Sequence, residues 1–140
     1  MKLLVVGGSG LLGYKVAELA VREFQTFATY NFRPMKLPSC RFFKLDKTDR
    51  DTTLALVNKL KPDVVIDTAA LHNVDYCETH REEAWKVNVE GTRNIAEACR
   101  EVGAKMIFIS TDYVFDGKKE IYTEEDTPNP LSYYPKTKLE

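Results

Sequence analysis

Groups that bind metals or form covalent cross-links are scarce in this chain. It has two histidines, His72 and His80, and three cysteines, Cys40, Cys77 and Cys99, among 140 residues. The histidines have no ligand-like spacing, so no protein-built metal site is expected. An odd cysteine count without a Cys-x-x-Cys pair argues against a disulfide framework and reads as reduced thiols in a cytoplasmic protein. Excess charge is missing too. The net charge is −1 with no basic run, which removes the electrostatic reason to expect nucleic acid or an anionic membrane surface as a partner. No apolar run approaches the length that spans a bilayer. The N-terminus has a single Lys before an apolar run and a glycine turn, so no signal peptide is expected. What the chain does have is 44% apolar residues, enough to build one domain around one core.

The most informative stretch runs from Lys2 to Gly13. Leu3 to Val6 is an unbroken apolar run ended by glycine, as suits a strand buried on both faces of a parallel sheet. Behind it, Leu12, Val16, Leu19 and Ala20 fall on one helical stripe, so the reading is strand, turn, helix. Gly7, Gly10 and Gly13 recur every third residue, where a Cβ would obstruct the tight turn, an approaching phosphate, or the packing of helix on strand. Backbone N–H groups and the positive end of the helix dipole then face the space over the turn. An anion belongs there, most plausibly a dinucleotide pyrophosphate, with Leu11 and Leu12 in contact beside the glycines.

The chain alternates strand and helix from there on. Phe24 to Tyr30 is expected as a second strand and Arg41 to Leu45 as a third, ending at Asp46. Thr48 to Asp51 has capping-box spacing ahead of a helix that stops before Pro62. Val64 to Ala70 reads as the fourth strand, Glu82 to Val102 as a helix, and Lys105 to Ser110 as the fifth strand. Enzymes that hold the ribose of NAD usually place Asp or Glu about 20 residues past the glycines. From Gln25 to Leu45 there is no carboxylate, and Asn31 and Arg33 occupy the expected position. A guanidinium suits a 2′-phosphate, so NADP(H) is favoured over NAD(H). Arg33 could equally be a solvated loop arginine, and Lys36 or Arg41 could do the same work.

Further positions stand out one by one. Asp46 is a strand-end carboxylate able to accept from an adenine amino group, or else a plain loop aspartate. Ala69 and Ala70 leave room for a ribose or phosphate close to the backbone. Asp67 is odd inside an apolar run and should be hydrogen-bonded. Asn88, Gly91, Thr92, Ile95, Cys99 and Val102 share one helical stripe. On it Asn88 must satisfy its amide internally, and Gly91 implies close packing. Ser110, Thr111 and Asp112 lie at the carboxyl end of the fifth strand, the edge where open α/β sheets bind ligands. Thr111 could donate to a substrate carbonyl there. Tyr134 and Lys138 are four residues apart, on one face of a helix. A phenol donates a proton to an alkoxide most readily when a cation beside it supports the phenolate. Seven tyrosines and many lysines make such a pair common by chance, so its position after a strand ending in Ser-Thr matters more than the pair itself.

The Gly-x-x-Gly-x-x-Gly spacing resembles the extended short-chain dehydrogenase/reductases. Further motifs follow in order: Lys-Pro-Asp-Val-Val-Ile-Asp-Thr-Ala-Ala, Val-Asp-Tyr-Cys-Glu, Val-Asn-Val-Glu-Gly-Thr, Ile-Ser-Thr-Asp-Tyr-Val-Phe-Asp-Gly and Tyr-x-x-x-Lys-Leu-Glu. Together they resemble the dTDP-4-dehydrorhamnose reductase family over nearly the whole chain. The resemblance implies a catalytic trio of Thr111, Tyr134 and Lys138, with Tyr134 and Lys138 also beside the cofactor. It implies cofactor contacts at Gly7, Gly10, Leu12, Asp46, Ala69 and Ala70. It implies hydride transfer from NADPH, or sometimes NADH, to the C4 ketone of a nucleotide-linked deoxysugar in dTDP-rhamnose biosynthesis. A homodimer and Mg2+ are implied by the family alone. Pro135 departs from the family's usual glycine, which is tolerable where it lies in the first turn of a helix.

The expected fold is a Rossmann-like, doubly wound parallel sheet with strand order 3-2-1-4-5. Residues 1–140 would form an NAD(P)-binding domain, incomplete because relatives carry a sixth strand and a sugar-binding lobe in a C-terminal half. Two other readings of function remain open. One is a non-catalytic nucleotide-binding regulatory subunit, like that associated with methionine adenosyltransferase. The other is an NAD-dependent sugar epimerase or dehydratase, which sits poorly with Arg33 and the missing ribose carboxylate.

Overall fold

A computed structural model describes residues 1–140. Five strands form one all-parallel sheet: β1 (Lys2–Val6), β2 (Gln25–Tyr30), β3 (Cys40–Lys44), β4 (Val64–Asp67) and β5 (Lys105–Phe108), in the order β3-β2-β1-β4-β5. This is the expected order. Leu3 is in register with Thr26 on one side and Val64 on the other, so β1 is the central strand, as its apolar run requires. Its side chains alternate between two layers. Leu4 and Val6 join Val57, Leu60, Val65 and Ile95 in a core under two helices, α2 (Arg50–Leu60) and α5 (Gly91–Val102). Leu3 and Val5 face Ala17, Ala20 and Ala28 under α1 (Leu11–Ala20) on the opposite face.

The stripe expected on α1 holds at Val16 and Ala20 and is corrected at Leu12 and Leu19. Leu12 is 49% and Leu19 60% exposed, while Gly13, Ala17 and Ala20 are buried. The physical reason is distance, because a Cβ at residue 13 would lie 2.3 Å from the Gly7 carbonyl oxygen. A helix packed this close admits small residues on its inner face and turns its leucines outward.

Other boundaries differ by a residue or more. Strand β4 ends at Asp67 and not at Ala70, and β5 ends at Phe108 and not at Ser110. The cap of α2 is Asp49, whose carboxylate accepts from the Thr52 N–H at 3.1 Å. Thr48 is instead engaged by Asp46, which accepts from its N–H at 3.0 Å and its hydroxyl at 2.8 Å. The segment expected as one helix from Glu82 is broken into α4 (Arg81–Trp85), a wider π turn over Lys86–Glu90, and α5. A short helix, α3 (Val74–Thr79), precedes it and was not foreseen. Near the end, α6 (Tyr133–Leu139) carries Tyr134 and Pro135 in its first turn, where proline displaces no helical hydrogen bond. Glu78 of α3 accepts from the backbone N–H of Tyr133 and ties the two helices together.

Candidate functional site

The turn between β1 and α1 is built to hold something. Gly7 has φ +81°, a left-handed conformation that glycine adopts without strain. Its N–H donates to the Thr29 hydroxyl at 3.1 Å, and its carbonyl accepts from the Gly10 N–H at 2.9 Å. Thr68, from the neighbouring strand end, donates its hydroxyl to the Val6 carbonyl at 2.7 Å. Helix α1 then starts at Gly10 with no side-chain cap and no acidic residue in its first turn. The N–H groups of Leu11, Leu12 and Gly13 consequently find no acceptor within the protein. They open into a cleft of about 710 Å³.

Each of the ten expected cofactor positions outside α6 borders this cleft. Gly7, Gly10, Leu11, Leu12 and Gly13 border it at the turn into α1, and Asn31 and Arg33 border it just past the end of β2. Asp46 lies on one side, with Ala69 and Ala70 opposite as the wall leaving β4. Arg33 is exposed and has no ion-pair partner, so its guanidinium is free to meet an anion. Phe32, 89% exposed, also borders the rim.

The three residues matched to chemistry lie elsewhere. Thr111, Tyr134 and Lys138 are not among the residues bordering the cleft. Tyr134 is buried with Cys77 and Ala84 and packs near Leu71, which does border it. Burial, then the neighbouring Cys77 and Asp112, raise the Tyr134 pKa above the usual phenol value and so make the phenolate harder to form. Lys138 sets its ammonium over the Phe108 ring, 3.8 Å from the centroid. Burial and the charge of Lys47, partly offset by Asp67, lower the Lys138 pKa to about 8. The Thr111 hydroxyl accepts from the Tyr113 N–H at 3.2 Å and donates to Asp112 at 3.3 Å, opening a 3-10 turn over Asp112–Val114.

Asn88 connects these two regions. It sits in the π turn, 2% exposed, and its amide holds both backbone groups of Leu71 while donating to the Thr137 hydroxyl at 2.9 Å. Thr137 in turn donates to the Tyr134 carbonyl at 2.6 Å. The cleft wall is thereby joined to the helix that bears the phenol. Asp67 is hydrogen-bonded as expected, and its partner, Lys47, had gone unrecognised. Thr29 and Thr68, which fix the glycine turn, were also not singled out. Their only sequence signal is a hydroxyl at the end of an apolar strand.

The whole chain, residues 1–140, matches the profile of the family described as RmlD substrate binding domain. The chain belongs to this family. RmlD-type relatives include a dTDP-4-dehydrorhamnose reductase from Aggregatibacter actinomycetemcomitans, 35% identical over 99% of this chain and 45% of that protein. Methionine adenosyltransferase 2 subunit beta from Bos taurus is 36% identical over 99% of this chain and 41% of that protein. Among solved structures, a hypothetical dTDP-4-dehydrorhamnose reductase from Sulfolobus tokodaii superposes with TM-score 0.92 at 40% identity, covering 99% of this chain and 50% of the other. The dTDP-4-dehydrorhamnose reductase of Bacillus anthracis, solved in complex with NADP, gives TM-score 0.85 at 32% identity, with 99% and 46% covered. A Thermus thermophilus UDP-glucose 4-epimerase in complex with NAD gives TM-score 0.88 at 28% identity, with 99% and 48% covered. This RmlD-family chain thus spans about half the length of the relatives it matches.

Proposed function

We propose that this chain forms the dinucleotide-binding part of an NADP(H)-dependent reductase acting on the C4 ketone of a nucleotide-linked deoxysugar. The observation that carries this reading is the cleft over α1. Three backbone N–H groups without acceptors face it across a turn where a Cβ at residue 13 would collide. That combination fits a pyrophosphate, and the unpaired Arg33 at the rim fits a 2′-phosphate. A dinucleotide held there would supply the hydride. Tyr134 would give a proton to the carbonyl oxygen, and because burial raises its pKa and disfavours the phenolate, that step calls for a cation beside the phenol. The Thr111 hydroxyl at the sheet's carboxyl edge is suited to polarising that carbonyl, and Lys138 to steadying the ribose and the phenol. No group of three or more His, Cys, Asp or Glu side chains is arranged to hold a metal ion, so no step is assigned to Mg2+.

Titrating the full-length protein with NADPH and NADH, then adding a dTDP-4-keto-6-deoxysugar and following absorbance, tests this reading. Oxidation of NADPH that is lost in Tyr134→Phe is expected. Tight dinucleotide binding without turnover would favour a regulatory subunit instead, a reading supported by the similarity to methionine adenosyltransferase 2 subunit beta.

A further inference from the structure

We propose that Lys47, paired with Asp67, is a positioning residue that clamps the peptide of Ala69 and so sets the wall against which the dinucleotide lies. The inference rests on the dinucleotide reading of the cleft. Strand β4 makes its last sheet contact when the Thr68 N–H donates to the Val6 carbonyl at 3.0 Å. Residue 69 then leaves the ladder, and side chains replace the missing strand. Asp67 accepts from the Ala69 N–H at 3.1 Å, and the Lys47 ammonium donates to the Ala69 carbonyl at 2.7 Å. The same ammonium donates to Asp67 at 2.8 Å and to the Thr92 hydroxyl at 3.2 Å. All three of its protons are engaged, and the Lys47 residue is 5% exposed.

Several other residues serve this one lysine. Asn94 donates to the Lys47 carbonyl at 2.9 Å and fixes its backbone against α5. A Cβ on Gly91 would lie 2.8 Å from the Lys47 Cγ, so that glycine makes the groove along which the lysine stem runs. Burying an ion pair is a poor way to add stability, since packed apolar groups of similar size usually do as well or better. Apart from those to each other and Thr92, the hydrogen bonds of the paired charges go only to the peptide that shapes the cleft. That selectivity points to placement of the wall, not to general cohesion.

Three variants separate the two roles, with dinucleotide affinity and denaturant stability measured on each. Lys47→Met leaves a lone buried carboxylate and is expected to lose stability, so it decides little alone. Thr92→Val takes one acceptor from the ammonium and also loses stability. It keeps both bonds to Ala69, however, and its NADPH affinity is expected to stay within about twofold of wild type. The double variant Lys47→Met/Asp67→Asn removes both charges and regains stability, yet is expected to bind NADPH at least about tenfold more weakly, the loss of one charge-assisted hydrogen bond. Affinity that simply follows stability across the three, or Thr92→Val binding as weakly as the double variant, would overturn the proposal. If the wild type binds no dinucleotide, the reading of the cleft fails by itself. Amide exchange at residues 69–71 then judges the clamp: faster exchange in the double variant supports it, and unchanged exchange refutes it.

Discussion

Asn88 and Leu71 are joined in both directions: the Leu71 N–H donates to the Asn88 side-chain oxygen at 2.8 Å, and the Asn88 amide donates to the Leu71 carbonyl at 3.0 Å. The side chain imitates a neighbouring strand where no strand is present. Replacing it with Ala leaves both partly buried backbone groups and the Thr137 hydroxyl short of a partner. Asn88→Ala is expected to cost roughly 3 kcal/mol, read by urea denaturation. Asn88→Asp keeps the acceptor and loses both donors, so it should be little better. A loss below about 0.5 kcal/mol in either variant would mean that water replaces the amide freely.

Gly13→Ala should be far more damaging than Gly103→Ala. Its Cβ would sit 2.3 Å from one backbone oxygen and 2.6 Å from the Thr68 hydroxyl, whereas residue 103 faces open space with φ +73°. The exposed site should lose about 1 kcal/mol from backbone conformation. The crowded one should lose more than about 2 kcal/mol, together with dinucleotide affinity. Equal losses in thermal melts would contradict the close approach of α1 to β1.

Arg33→Ala should discriminate between cofactors. Loss of the guanidinium is expected to weaken NADPH about tenfold and to leave NADH nearly unchanged. Parallel titrations give the ratio directly. An equal effect on both would assign Arg33 to the solvated rim and move the 2′-phosphate contact to Lys36 or Arg41.

Lys138 gives a pH signature. Its folded-state pKa of about 8 lies below the ordinary 10.5. Below pH 8 both folded and unfolded chains carry the proton, and the penalty of burying the charge is fully present. From there to about pH 10.5 the unfolded chain binds more proton than the folded one, so this group makes stability rise with pH. Relative to Lys138→Met, the wild type should gain a few kcal/mol across that window, with denaturation measured at several pH values. A flat difference would place the amine in water.

The sheet was legible because each strand carries its own signal: the run Leu3 to Val6, the run Val64 to Ile66, the apolar centre of Lys105 to Phe108. The glycine turn was legible for a similar reason, since its spacing is local. Other features depend on pairings distant in sequence. Asp67 announced that it needed a partner, but nothing near it says that the partner is Lys47, twenty residues earlier. The π turn over Lys86–Glu90 adds a residue to the winding without any change in residue type. On the inward face of α1, Val16, Ala20 and the need for glycine were legible, but hydrophobicity also points to Leu12 and Leu19, where the available gap selects Gly13 and Ala17.

The tightness of the Gly7 and Gly13 contact divides the cleft into two unequal ends. At the glycine end a single methyl is already too much, so sequence change there is closed off. At the Asn31 to Arg33 end Asn31 is half-buried, Phe32 and Arg33 are exposed, and little rests on them. On the dinucleotide reading, a switch of nucleotide preference, whether by drift or by design, is expected among Asn31, Arg33 and the nearby Lys36 and Arg41, with the glycine turn left undisturbed.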